Sequence, residues 1–99
     1  MDKDGYPEDH ELEKIKNWNT LIDGYDSLME YVRKRWKYSD CGYFSIDNGK
    51  YDISTGGWSG NEDIIIALQQ NYMFWMFCWE ESKRGGHYKF ELPTKKAGE

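Results

Sequence analysis

The chain has 99 residues, with 13 Lys and Arg against 18 Asp and Glu and a mean hydropathy of −0.94. That length fits a single domain over residues 1–99 with a small core. A net charge of −5 weighs against non-specific nucleic-acid binding, which draws most of its affinity from a basic field.

Residues 1–6 and 93–99, rich in Asp, Gly and Lys and bounded on the inside by Pro7 and Pro93, read as loose ends. The start is acidic: Asp2, Asp4, Glu8, Asp9, Glu11 and Glu13 face only Lys3. Such a run is either a solvated tail and helix face or a mimic of a polyanion. It carries no apolar leader segment, and the two cysteines, Cys41 and Cys78, are too few for the disulfide framework of a small secreted domain. No apolar run approaches the ~20 residues of a membrane helix. The expectation is a cytoplasmic protein with two reduced, inert thiols and no membrane partner.

Residues 8–19 have helical signals, with acidic residues in the first turn and Leu12, Ile15 and Trp18 three apart. A second helix is expected over residues 24–37. Its apolar stripe is Tyr25, Leu28, Met29, Val32 and Trp36. Asp26 and Glu30 lie early in it, and Arg33, Lys34, Arg35 and Lys37 late, an order that complements the helix dipole. The basic cluster therefore has a structural explanation beside any role in holding phosphate.

A hairpin follows, with residues 42–47 and 50–55 flanking Asn48-Gly49, the dipeptide that a type I′ turn favours because both central residues need positive φ. Phe44, Ile46, Tyr51 and Ile53 would form its buried face. Gly56-Gly57-Trp58-Ser59-Gly60 then leads into a third helix, for which Asn61 is the expected N-cap, Glu62 and Asp63 the first turn, and Ile64, Ile65 and Leu68 the core stripe.

Residues 71–82 fit two patterns. As helix, they would extend the third helix into one long element over residues 61–84. As strand, Asn71 stops the helix and residues 72–79 form an aromatic, central strand that Lys83-Arg84-Gly85-Gly86 turns back into residues 87–92, where Tyr88, Phe90 and Leu92 alternate. The strand pattern is preferred, since aromatic residues suit a pleated surface and the partner strand is clear. The resulting fold class is α+β in the order ααββαββ, a mostly antiparallel sheet of about four strands with helices packed on it.

Two segments are candidate sites. Gly56, Gly57 and Gly60 allow backbone N–H groups to converge on an anion at a helix start, Trp58 offers a ring for stacking, and Ser59 and Asn61 offer hydrogen bonds. Against this, no Gly-Lys-Ser/Thr follows, and Glu62 and Asp63 already place negative charge there. The structural alternative is a tight turn with Trp58 folded onto the core. Arg84 and His87 flank a second glycine turn and would reach the same ligand if the two loops shared an edge; the alternative is an ordinary turn. Two histidines and two cysteines, widely spaced, give no metal signature. Cys78 lies in an aromatic run that favours an inert thiol, and adjacent Glu80 and Glu81 would point to opposite faces of a strand. The pattern therefore points away from an enzyme and calls for no cofactor or metal.

Thr55-Gly56-Gly57-Trp58-Ser59-Gly60-Asn61-Glu62, with Phe74-Trp75, Cys78-Trp79 and Arg84-Gly85-Gly86-His87-Tyr88 downstream, resembles a family of short hypothetical proteins encoded in bacteriophage and prophage genomes. The resemblance spans roughly residues 5–92. It implies expression inside an infected bacterium and no particular activity. With 5 Trp, 8 Tyr and 4 Phe, the rings exceed what so small an interior absorbs, and surface Trp and Tyr favour interfaces. The expectation is thus a non-enzymatic phage-type protein that binds a host or phage protein through an aromatic-rich surface, as an inhibitor of a defence or nucleic-acid-processing system. The alternatives are a binder of a small anionic ligand such as a nucleotide at the Gly56-to-Asn61 loop, and a homo-oligomer joined by the aromatic strand.

Overall fold

The computed structural model describes residues 5–39 and 42–93. Helix α1 (Asp9–Lys16) opens with a capping box in which Glu8 and Glu11 bond each other's backbone N–H. This satisfies donors that the first helical turn leaves free. A short α2 (Thr20–Asp23) is capped by the Asn19 side chain, and α3 (Tyr25–Arg35) follows after Gly24. Strands β1 (Phe44–Asp47) and β2 (Lys50–Ser54) form the expected hairpin, with Asn48 and Gly49 at φ 57° and 83°. Helix α4 (Ser59–Gln70), helix α5 (Tyr72–Cys78), β3 (Trp79–Lys83) and β4 (His87–Glu91) complete the chain.

All strand pairs are antiparallel, and the spatial order is β1-β2-β4-β3. The last hairpin thus docks β4 against β2 and leaves β1 and β3 as edges. The order ααββαββ holds, with α2 and α5 added as short helices. One face of the sheet carries Phe44, Tyr51, Ile53 and Phe90 into a single core with Ile15, Leu28, Met29, Val32, Trp36, Ile64, Leu68 and Phe74. The opposite face is polar and charge-alternating, Asp52 lying opposite Lys89 and Lys50 opposite Glu91. This is the one-sided burial usual in antiparallel sheets. Ile46, expected in the buried face, stays half exposed at the sheet edge.

Residues 71–82 depart from both sequence patterns. Asn71 ends α4, so no single helix runs over residues 61–84. The chain then restarts as α5, so residues 72–79 are not a central strand. Strand pairing begins only at Trp79, and β3 is an edge. The reason is the Asn71 side chain: its Oδ1 accepts from Phe74 N at 3.2 Å, capping α5, while its Nδ2 donates to the Ile15 and Trp18 carbonyls at 3.0 and 3.1 Å. One amide therefore caps a new helix and ties it to α1. The expected loose ends at residues 1–4 and 94–99 lie outside the described residues. Tyr6, expected to be loose, is stacked on Trp58. No described helix is long and apolar enough to cross a membrane.

Candidate functional site

Helix α4 begins three residues earlier than its sequence signals suggest, with Trp58 rather than Asn61 at the N-cap. Asn61 is fully buried and its amide is consumed by the fold. Its Oδ1 accepts from Lys37 N at 2.9 Å, and its Nδ2 donates to the carbonyls of Lys37 and Thr55 at 3.2 and 3.3 Å. Nothing of Asn61 is left to offer a ligand.

Trp58 is engaged in the same way. The Tyr6 ring stacks on it at 4.5 Å between centroids, and the Lys37 ammonium sits 4.1 Å from its centroid, a cation–π contact. Gly60 approaches the indole closely: a Cβ there would lie 2.7 Å from Trp58 Nε1 and 3.1 Å from Pro7 Cδ. Trp58 thus clamps the segment that enters α1. Its buried Nε1–H has no hydrogen-bond partner among the described residues. Gly56, Gly57 and Ser59 are exposed, and the first turn of the helix carries Glu62, whose charge disfavours an anion.

The second candidate segment does share an edge with the first. Thr55 N donates to the Gly86 carbonyl at 2.9 Å, and Ser54 Oγ meets His87 Nδ1 at 2.6 Å. The approach of the two chains requires glycine at position 86: its φ is 82°, and a Cβ would lie 2.2 Å from Thr55 Oγ1. Arg84 is exposed and makes no hydrogen bond or ion pair among the described residues. The backbone therefore brings Gly56 and Gly57 near Gly86 and His87, while the Trp58 ring and the Asn61 amide, the two groups best suited to grip a ligand, are committed elsewhere.

The most unusual surface lies on α5. Phe74 and Cys78, four residues apart, point into the core. Tyr72, Met73, Met76 and Phe77 form the opposite, exposed face; Tyr72 is 77% and Met76 72% exposed. Trp79 continues it at 43% exposure, stacked on Trp75 at 5.9 Å and donating from Nε1 to Ser82 Oγ at 2.7 Å. Leu21 and Ile22 on α2 add two more exposed apolar side chains. Scattered apolar residues are normal on a surface, but a helix whose outer face is wholly aromatic and methionine is not.

Sequence reasoning placed the candidate site elsewhere and missed this face. The signal that would have found it was Asn71 read as an N-cap, with Phe74 and Cys78 at helical spacing; the density of rings pointed to a strand instead. The region also corrects the geometry expected of Glu80 and Glu81. A bulge between Trp79 and Glu81 breaks the alternation, and Glu80 meets Glu91 on the neighbouring strand. Sharing a hydrogen bond with Glu91 raises the Glu80 carboxyl above its ordinary range, and the nearby Lys50 and Lys89 oppose this only in part.

Among the described residues, no three His, Cys, Asp or Glu side chains come together as metal ligands. Cys41 lies outside them; Cys78 is a free, buried thiol. Comparison with family models, with curated proteins and with solved structures gave no match.

Proposed function

We propose that this chain is a non-enzymatic binding protein that engages a partner protein through the exposed face of α5. The observation that supports this is the split of one seven-residue helix: Phe74 and Cys78 are sealed in the core, while Tyr72, Met73, Met76 and Phe77 face solvent. Aromatic and methionine side chains are the ones enriched where proteins meet, the rings because they desolvate large areas, methionine because it adapts its shape. The likeness of segments 55–62 and 84–88 to phage-encoded proteins suggests a host or phage protein as the partner. The matching role is inhibition of a defence or nucleic-acid-processing system in the bacterial cytoplasm.

A small anionic ligand such as a nucleotide at the Gly56-to-Asn61 loop finds less support, because Trp58 and Asn61 are occupied by Tyr6, Lys37 and Thr55. The test is site-specific photo-crosslinking in bacterial cells, with p-benzoylphenylalanine replacing Met76 on the α5 face or Asp63 on α4. A discrete heteromeric adduct, identified by peptide mass and formed from position 76 but not 63, is the expected result. Adducts no larger than a dimer of the chain would replace a partner protein with self-association. No adduct from position 76 would overturn the proposal.

A further inference from the structure

What chemistry would such a partner carry? Beside the α5 face runs a depression of about 360 Å³ lined by Phe77, Trp79, Glu80, Glu91, Leu92 and Pro93. Leu92 and Pro93 also line a second depression, of about 410 Å³, whose other walls include Asp23 and Asp26. Among the described residues, every charged side chain lining these two depressions is a carboxylate: Glu80 and Glu91 in the first, Asp23 and Asp26 in the second. Lys50 and Lys89, whose charges act on Glu80 from the polar sheet face, line a third depression, which also touches Glu80 and holds Asp47 and Asp52.

Resting on the protein-binding reading above, we propose that the depression beside Phe77 and Trp79 receives a basic, apolar segment of the partner. Its apolar side chains lie on Met73, Met76 and Phe77, and one Arg or Lys is received between the Trp79 ring and the Glu80–Glu91 carboxylates. Rings beside carboxylates suit a cation twice over. The ring face attracts it through the quadrupole, and two neighbouring carboxylates accept charge-assisted hydrogen bonds from it. Beside the bulge, Glu80 shares a hydrogen bond with Glu91, and a cation received there would neutralise the pair. A second copy of the chain fits poorly: a two-fold contact sets the same patch against itself, and the Glu80–Glu91 carboxylates would meet their own copies. The chain's net charge of −5 adds to that repulsion.

The test uses the full chain and two synthetic helical peptides with the same Leu and Phe stripe, one with Lys and Arg at its polar positions and one with Glu. Fluorescence anisotropy should show the basic peptide binding, more weakly as salt rises. The pair Glu80→Gln and Glu91→Gln should reduce its affinity about tenfold, and the remote pair Glu62→Gln and Asp63→Asn should leave it unchanged. Equal losses from both pairs would mean general attraction to an acidic protein and would overturn the proposal. Equal binding of both peptides, abolished by Met76→Glu, would overturn the charge preference while leaving the α5 face as a binding surface. If neither peptide binds the full chain, the proposal fails, and crosslinking at position 76 still decides the broader reading. If the basic peptide binds only the Lys95→Ala, Lys96→Ala variant, the chain's own lysines are the occupant, and the proposal fails too.

Discussion

The side-chain amide of Asn61 grips both backbone polar groups of Lys37, accepting from its N–H at 2.9 Å and donating to its carbonyl at 3.2 Å. A third bond to the Thr55 carbonyl makes this one side chain the junction of α3, the glycine-rich loop and α4. Removing it takes this amide from the Lys37 N–H and carbonyl and leaves the Thr55 carbonyl with only its bond from Trp58 N. In Asn61→Ala we expect a loss of about 2 kcal/mol, seen as a Tm lowered by roughly 8–16 °C for a domain of this size. A ligand-binding Asn61 would behave differently, because its truncation would leave the melting curve of the ligand-free protein in place.

The two faces of α5 make opposite predictions for similar deletions. Phe74 is fully buried and meets Phe90 with ring centroids 5.2 Å apart. Phe74→Ala should therefore cost about 3–5 kcal/mol through lost burial and a residual cavity. Met76, two residues on, has little to lose, and Met76→Ser should change stability by less than about 0.5 kcal/mol. Urea unfolding of both variants gives the comparison. A large loss in Met76→Ser would show that the side chain serves the core, and would remove the basis for a binding face.

These contrasts mark where the sequence was legible. The Asn48-Gly49 hairpin was readable because a type I′ turn demands two positive-φ residues and few dipeptides supply them. The stripes of α3 and α4 were readable because burial imposes a 3.6-residue period. Residues 71–78 were not, since Asn71 suits a helix stop and a helix start equally well and here is both. Only its long-range bonds to Ile15 and Trp18, 56 and 53 residues away, decide how the chain continues. The surroundings of the candidate loop were illegible for a related reason. Trp58 and Asn61 look available locally, and the groups that occupy them, Tyr6 and Lys37, lie far off in the chain.

Glu11 predicts a pH dependence. Its carboxylate is buried, where desolvation by itself would raise its pKa. It accepts instead from Glu8 N at 2.8 Å and from Arg35 Nε at 2.9 Å, two bonds that help to hold the carboxyl down to about 2. Arg35 is fixed in turn by the Tyr31 ring, 3.4 Å from its guanidinium carbon. A folded pKa below the ordinary 4.5 stabilises the protein above that value, and the contribution is lost as pH falls from 4.5 through about 2. Relative to wild type, Glu11→Gln should be less stable by about 2 kcal/mol at pH 7, with the gap closing on acidification across that window. A gap that stayed constant with pH would assign the loss to shape and not to charge.

Cys78 should be chemically silent while the protein is folded. Its thiol is 1% exposed beneath α5, and desolvation pushes its pKa up to about 12, so the reactive thiolate is scarce at neutral pH. In a Cys41→Ser background, Ellman's reagent should leave the native protein unlabelled over many minutes and react fully once urea unfolds it. The raised pKa also carries a sign: the unfolded chain ionises from its ordinary value of 9.0 while the fold holds the thiol neutral. Stability should therefore decline as pH rises from 9 toward 12, and less so in Cys78→Ala. Prompt, stoichiometric labelling under native conditions would mean that α5 lifts off the core readily. The exposed face of the helix would then be one state of a moving element, and a fixed platform for a partner would have to be abandoned.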